Sequence, residues 1–293
     1  MANILPSKAP NLINAPDIYG KSYTDNLNNI LRLYFNTIDG NNAYILNALV
    51  SLQDQIDTIQ TEISALTTPP YFSAFQDGTT TLTAGMTNNS TTPIQVTSTA
   101  GFESSGWLII EDEIVEYTGT TSTTFTGITR GVKGTTNLAH LSGVAVSEAT
   151  AVTSTTSAAL KLDTIITSND ITCTVPASEV YLTKAGVYNI QFSAQFLNYT
   201  TADDNVTVWL SKDGNIIADS ASVAQVPQKH AQGAGATILA LNFVDEFTAG
   251  GYFQLYWSSK TGNTVLATYP PGTSPTRPSS PSLILTVTYV SGV

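Results

Sequence analysis

Seven apolar residues, Ile45, Leu49, Leu52, Ile56, Ile59, Ile63 and Leu66, follow one another at spacings of 4, 3, 4, 3, 4 and 3. An apolar repeat averaging about 3.5 residues is the seam of a coiled coil, whose side chains insert between those of a facing helix. The residues between them, from Gln53, Asp54 and Gln55 through Gln60, Thr61 and Glu62, make a broad polar face. A lone helix of this pattern leaves its stripe in water, so the segment asks for identical partners or a second helix. An amphipathic helix packed on its own chain is the bland reading of any single stripe. The narrowness and regularity of this one favour association. Thr67-Thr68-Pro69-Pro70 ends it before a change of composition.

Upstream, Ser22 and Asp25 have capping-box-like spacing, and Leu27, Ile30, Leu31, Tyr34 and Ile38 recur at helical intervals. Asp39-Gly40-Asn41-Asn42 then places four poor helix formers in a row. Continuing the seam backward through Asn42, Ile38, Phe35 and Leu31 gives one helix across Gly40. A helical hairpin turning at Asp39-Gly40 fits the same residues, and both readings stand at this point. Residues 1–21 carry Pro6, Pro10, Pro16 and Gly20, a composition that resists helix and predicts an extended arm.

Composition narrows the function classes. Charged residues make up 11% of the 293, against about a quarter in an ordinary globular chain, so Thr, Ser and Asn must solvate much of the surface. With 22 acidic and 11 basic residues the chain opposes a phosphate backbone, and nucleic acid is not an expected partner. Cys173 stands alone, which leaves no intramolecular disulfide and no zinc site of ordinary spacing. The opening MANILPSKAP shows no signal-peptide core, and no run of ~18 apolar residues predicts membrane insertion.

From Tyr71 to about Ala151 the pattern changes to short alternating runs between Gly, Asn and Ser, predicting one small β module over 71–151. Leu108-Ile109-Ile110 and Ile114-Val115-Glu116-Tyr117 flank Glu111-Asp112-Glu113 as a hairpin. Over 157–293 seven or more longer strands, with no helical period between them, predict an antiparallel sandwich. Its loops include 200–205 and the stretch 268–281 with five prolines, stiff enough to be an ordered surface.

Two passages carry resemblances. Gly186-Val187-Tyr188-Asn189-Ile190-Gln191-Phe192-Ser193, then Val208-Trp209-Leu210-Ser211-Lys212-Asp213-Gly214, Phe247 to Leu255 and Ser282 to Tyr289, resemble in order the strands of the complement C1q and tumour necrosis factor jelly-roll superfamily. Gly251 stands where that family often has Asp. Gly106 to Ile110, Glu113 to Gly119, Thr129 to Thr135 and His140 to Gly143 resemble a small β module of tailed-phage virion proteins, used there as a shaft or collar piece. A coiled coil, such a module and a jelly roll together resemble a bacteriophage fibre. The resemblance implies an elongated homotrimer, mainly β with an N-terminal α-helical coiled coil: an anchoring arm at 1–21, a trimerisation region at 22–68, a collar at 71–151 and a head at 157–293. The mixed Ile and Leu seam by itself also allows other oligomeric states.

The chemistry-bearing residues are sparse. His140 and His230 lie in no metal or catalytic spacing, and a catalytic base needs an orienting partner. His140 and Arg130 are expected as structural anchors of a turn, His230 as a surface residue, and Glu111, Asp112, Glu113 and Glu116 as a solvated hairpin tip rather than a glycosidase pair. Asp203 and Asp204 could ligate calcium but offer few carboxylates for a cage. Trp107 and Trp209 follow strand patterns that predict core packing, and Cys173 a small buried hydrophobe. Tyr256, Trp257 and Tyr269 flank the proline-rich loop, where core packing competes with sugar stacking.

These observations predict a structural virion protein and not an enzyme, with no cofactor and no metal: a trimeric tail fibre docked on other virion proteins through residues 1–21, whose head attaches to a host-surface glycan or protein. The candidate contacts are Tyr199, Asp203, Asp204, Tyr256, Trp257 and Tyr269. A head fibre or decoration protein without a receptor role, and a fibre-borne glycan-degrading enzyme, are the alternatives.

Overall fold

The computed structural model describes residues 20–231 and 233–292, without the side chains of residues 64–67 and 273. The arm over 1–21, save its last two residues, and the Leu66 side chain therefore lie outside the described residues. The chain divides into two compact units at Thr68/Pro69.

The first unit is one helix, α1 (Lys21–Thr67). It runs straight through Asp39-Gly40-Asn41-Asn42, which settles the open choice in favour of a continuous helix. A glycine in a helix interior costs about 1 kcal/mol relative to alanine, a small local penalty in a helix of 47 residues. Side chains on the polar face pair along the axis, Arg32 Nη2 donating to Asn29 Oδ1 at 2.8 Å and Gln53 Nε2 to Asp57 Oδ1 at 2.8 Å. Continuity keeps Leu31, Phe35, Ile38 and Asn42 in phase with the downstream seam. The seam itself is open: Ile45, Leu49, Leu52, Ile56, Ile59 and Ile63 are between 40% and 58% exposed.

The second unit is built of antiparallel strands. Its longer ones are β1 (Tyr71–Gln76), β2 (Gly106–Ile110), β3 (Glu113–Tyr117), β4 (Ala145–Ala151), β5 (Thr164–Asn169), β6 (Val180–Leu182), β7 (Gly186–Asn198), β8 (Asp204–Lys212), β9 (Ser222–Val226), β10 (Gly235–Phe247), β11 (Tyr252–Ser259), β12 (Thr264–Ala267) and β13 (Leu283–Ser291). One sheet runs β5-β1-β13-β7-β12-β4-β2-β3, with β10 on the other edge of β7. A second sheet contains β6, β11 and β8, and β9 also pairs with β8.

Alternation decides which side chains enter the core. In β7, Tyr188, Ile190 and Phe192 point inward, and in β8, Val206, Val208 and Leu210 do. They meet Phe72, Phe253, Leu255, Trp257 and Val287 in one cluster drawn from both sheets, together with the buried Cys173. Leu108, Ile110, Val115, Tyr117, Phe125 and Val146 form a smaller core. The intervening Ile109 and Ile114 face the other way, into a third cluster with Leu197, Tyr199, Val265 and Ala267. Burial on both faces explains why Leu108-Ile109-Ile110 is an unbroken apolar run.

That third cluster revises the expected division at residue 151. β4 pairs with β2 through Val146–Ala149 and with β12 through Ala149–Ala151, so the small module and the sandwich share one sheet. Lys133 Nζ adds hydrogen bonds to Val152 O (2.8 Å) and Gly262 O (2.7 Å). The expected start of the collar also shifts. β1 lies between β5 and β13 because Phe72 and Ala74 alternate into the sandwich core.

Candidate functional site

The hairpin of β2 and β3 turns tightly, Ile110 pairing with Glu113 and Glu111 taking φ 54°. Behind this turn lies a buried ionic cluster. Arg130 grips Glu113 in two parallel bonds, Nε to Oε1 at 2.5 Å and Nη2 to Oε2 at 2.6 Å, and the same guanidinium donates to the carbonyls of Thr87 and Leu138. The amides of Gly131 and Leu138 complete the carboxylate. His140 sets Nδ1 2.7 Å from Glu111 Oε2 and Nε2 2.9 Å from Glu113 Oε2. Two acceptors on the two ring nitrogens favour the imidazolium. Burial alone would lower the His140 pKa, and the two carboxylates outweigh it and raise it. Burial likewise opposes ionisation of Glu113, yet hydrogen bonds from Arg130, His140 and the Leu138 amide hold it down at about 2.

Arg130 and His140 are thus the turn anchors that the sequence predicts, whereas Glu113 is not on a solvated tip. It is fully buried because four donor groups replace its water. Every polar atom of the Glu113 side chain is engaged, so this His and Glu pair is occupied in structure. Its effect is to fasten residues 129–140, which have little regular structure, beside the hairpin turn.

That fastening shapes a cleft. Asp112 of the hairpin turn, Thr135, Thr136, Leu138, Tyr199 and Lys229 line about 360 Å³. An adjoining hollow of about 250 Å³ shares Asp112 and Tyr199 and reaches Ile109, Leu197 and Tyr269. Tyr199 follows directly on β7 and is placed by the buried Asn198, whose Nδ2 donates to Ala202 O at 2.8 Å and whose Oδ1 accepts from the Thr200 amide at 2.9 Å. Gly134 closes against this corner. Its φ is +83°, and a Cβ there would stand 2.7 Å from Thr200 Cγ2, so no other residue fits comfortably. Tyr269 exchanges two backbone hydrogen bonds of 2.9 Å with Ser280, tying down the proline-rich loop. Burial, with Asp112 and Tyr269 nearby, pushes the Tyr199 phenol far above its usual range. Burial and Asp112 raise Tyr269 against the opposing charge of Arg277. Both phenols therefore remain O–H groups at ordinary pH.

Of the six predicted contacts, Tyr199 and Tyr269 share this cleft and the other four do not. Asp204 is buried, with its oxygens accepting from Ser259 Oγ (2.5 Å), Thr264 Oγ1 (2.8 Å) and the amides of Asn205, Thr261 and Thr264. These donors hold its pKa down against burial and leave its lone pairs committed to the chain, not to calcium. Asp203 accepts from Gln225 Nε2 and the Gln228 amide. Among the described residues no group of three His, Cys, Asp or Glu side chains is arranged to hold a metal. Trp257 is fully buried, tilted on Phe196 at 5.3 Å. Tyr256, one residue away, points to the opposite face and stacks on Trp209 at 6.0 Å. Trp209 consequently leaves the core predicted for it: Val208 and Leu210 occupy the inward positions of β8, and the residue between them faces outward. The sequence shows Asp112 only as part of a solvated hairpin tip and does not mark Thr135, Thr136 and Lys229 as site residues, because nothing local joins them to Tyr199. Period-two alternation along β8 and β11, applied strictly, would have paired Tyr256 with Trp209.

Among protein-family models none matches this chain, and a search of curated proteins also finds no match.

Proposed function

We propose that this chain is a structural, non-enzymatic virion protein: a homotrimeric bacteriophage fibre in which residues 22–68 trimerise, residues 1–21 dock on other virion proteins, and the β unit serves as a jelly-roll head for host-surface attachment. The observation that carries the reading is the exposed seam of α1. Six aliphatic side chains stand 40–58% exposed in one line, and burying each contributes roughly 1.5–3 kcal/mol when complete. A helix of 47 residues, about 70 Å long, gives that line the reach to act as a stalk. The same seven-residue phase upstream of Gly40 supports a single continuous bundle. Attachment by three identical heads amplifies a weak contact per head, because the second and third contacts form at high effective concentration. The low charge supports the same role, since contacts between uncharged polar groups change little with salt.

Sedimentation equilibrium of the full-length chain tests the reading directly. A trimer at micromolar concentration is the expected result, and a monodisperse monomer would overturn it.

A further inference from the structure

We propose that the cleft bounded by Asp112, Tyr199 and Tyr269 binds a neutral saccharide unit. Its larger hollow, about 360 Å³, sits at the small end of ligand pockets, which span roughly 300–1,000 Å³, and the adjoining one, about 250 Å³, falls just below it. That space is of the size of one or two sugar rings.

The walls match a sugar in kind as well as in size. Tyr199 and Tyr269 pack against the apolar cluster that contains Ile109 and Leu197, so the base of the cleft is aromatic and aliphatic, suited to the C–H faces of a pyranose. Around it stand groups of both hydrogen-bonding senses: the Asp112 carboxylate accepts, Lys229 donates, and the hydroxyls of Thr135, Thr136 and the two tyrosines do either. Sugar hydroxyls also donate and accept, and need both. Tyr199, 6% exposed, lines both hollows, and a ligand hydroxyl there would take the place of water on its phenol.

Charge favours a neutral ligand. Asp112 and Lys229 oppose each other in the larger hollow. The smaller holds Asp112 and Glu111 with no cationic side chain, Glu111 being held by His140 at 2.7 Å, so an anionic ligand is disfavoured throughout and a cation meets an unopposed carboxylate only at Asp112 in the smaller hollow. The chain's formal charge of −11 disfavours polyanionic glycans further.

The biological use of such a site rests on the attachment reading, but binding can be measured separately from it. Full-length protein is titrated with maltotriose, cellotriose, mannotriose, lactose and chitotriose, and with sialyllactose, a heparin tetrasaccharide and choline as charged probes. Ligand-observed magnetic resonance reads binding, and sedimentation equilibrium is run on the same samples. We expect millimolar binding of at least one neutral probe, weakened about tenfold by Asp112→Asn and several-fold by Tyr199→Phe, with Tyr256→Ala on the other sheet leaving it unchanged. Thermal melts of each variant separate lost binding from lost folding, and Tyr199→Phe retains the buried ring. Binding to no neutral probe overturns the proposal, as does binding indifferent to both cleft variants, or a charged probe binding best. A trimer that binds nothing sinks the cleft alone, and a monomer that binds sugar sinks the fibre alone.

Discussion

Along α1, Leu49, Leu52, Ile59 and Ile63 stand more than half exposed, whereas Leu108, Ile190, Val208 and Val287 of the β unit are sealed within their own chain. The two regions use similar aliphatic residues and differ in where the burial is completed. In the β unit, period-two alternation gives each strand a covered face, and the sheets supply one another's cover. In the helix, a narrow 4-3 stripe has a width suited to another helix of the same kind. The sealing holds for the core of the β unit and not for its whole surface, since Ile238 and Val244 of β10 stand 64% and 62% exposed; what sets the helix apart is that it has no core of its own.

The largest expected effect breaks the comparison on its open side. Ile56→Glu combined with Ile59→Glu places charges at two consecutive seam positions, where each burial of an isoleucine is worth roughly 1.5–3 kcal/mol. Sedimentation equilibrium should show a monomer, and helical circular dichroism should fall, while the melting of the β unit stays as it was. Should the parent chain prove trimeric and the variant remain so, the seam is not what holds the chains together.

Arg130→Ala is the converse experiment. It strands Glu113 in a site where both side chains are 3% exposed or less, and breaking a buried pair on one side costs roughly 3–5 kcal/mol. The β unit should melt markedly earlier in a thermal scan, with the oligomeric state unchanged below the transition. A pair so costly to break on one side was invisible in the sequence. Glu111-Asp112-Glu113 looks like three solvated acids, and Arg130 and His140 come 17 and 27 positions after Glu113, with no periodicity to join them.

What the sequence did disclose has a common cause: local patterns with a fixed period. The helix expected from residue 22, which begins at Lys21, and the hairpin around Asp112 follow from spacing alone. Where two patterns overlap, reading fails. β1 looked like part of the small module because it precedes it in the chain, and only its pairing with β13, more than 200 residues away, places it in the sandwich. The cleft failed for the same reason, being assembled from a hairpin turn, a strand end and two loops. Tyr199 and Tyr269 could be named as aromatic residues beside loops, but their meeting with Asp112 is tertiary.

Glu148 contrasts with Glu113 inside the same β unit. Its Oε2 has no hydrogen-bond partner, as is true of Asp163 Oδ1 nearby. Burial lifts the Glu148 pKa to about 7, the Gln76 side chain and Lys161 lower it, and the charges of Asp163 and Glu103 add to the rise. A carboxyl raised in the folded state holds a proton that the unfolded chain releases, so it removes stability as pH climbs from the ordinary 4.5 towards about 7. The difference between 4.5 and about 7, at about 1.4 kcal/mol per pH unit, bounds the effect at roughly 3–4 kcal/mol. Glu148→Gln should abolish this fall, giving a variant more stable than the parent at pH 7 in denaturant titrations. His140 has the same sign through a different cause. Its raised pKa gives stability that is complete below the ordinary 6.5 and lost as pH rises through the folded value, so some decline above neutrality should survive in the Glu148→Gln variant. A parent chain whose stability is flat between pH 5 and 7 would exclude a neutral, buried Glu148.

The smallest effect sharpens the comparison from inside the helix. Gly40 lies in the interior of α1, and a Cβ added there meets nothing within 4 Å. Gly40→Ala should therefore stabilise the helix by about 1 kcal/mol per chain through propensity alone, raising the dissociation temperature of the assembly without moving the melt of the β unit. The sign is the informative part. In a continuous helix the added methyl reduces the freedom of the unfolded chain and costs nothing in the folded one. In a hairpin turning at Asp39-Gly40, alanine would occupy a turn position that glycine suits, and the assembly would weaken. Thermal dissociation followed by helical circular dichroism separates the two outcomes, and a stabilised assembly would carry the coiled-coil phase unbroken through Asn42 to Leu31.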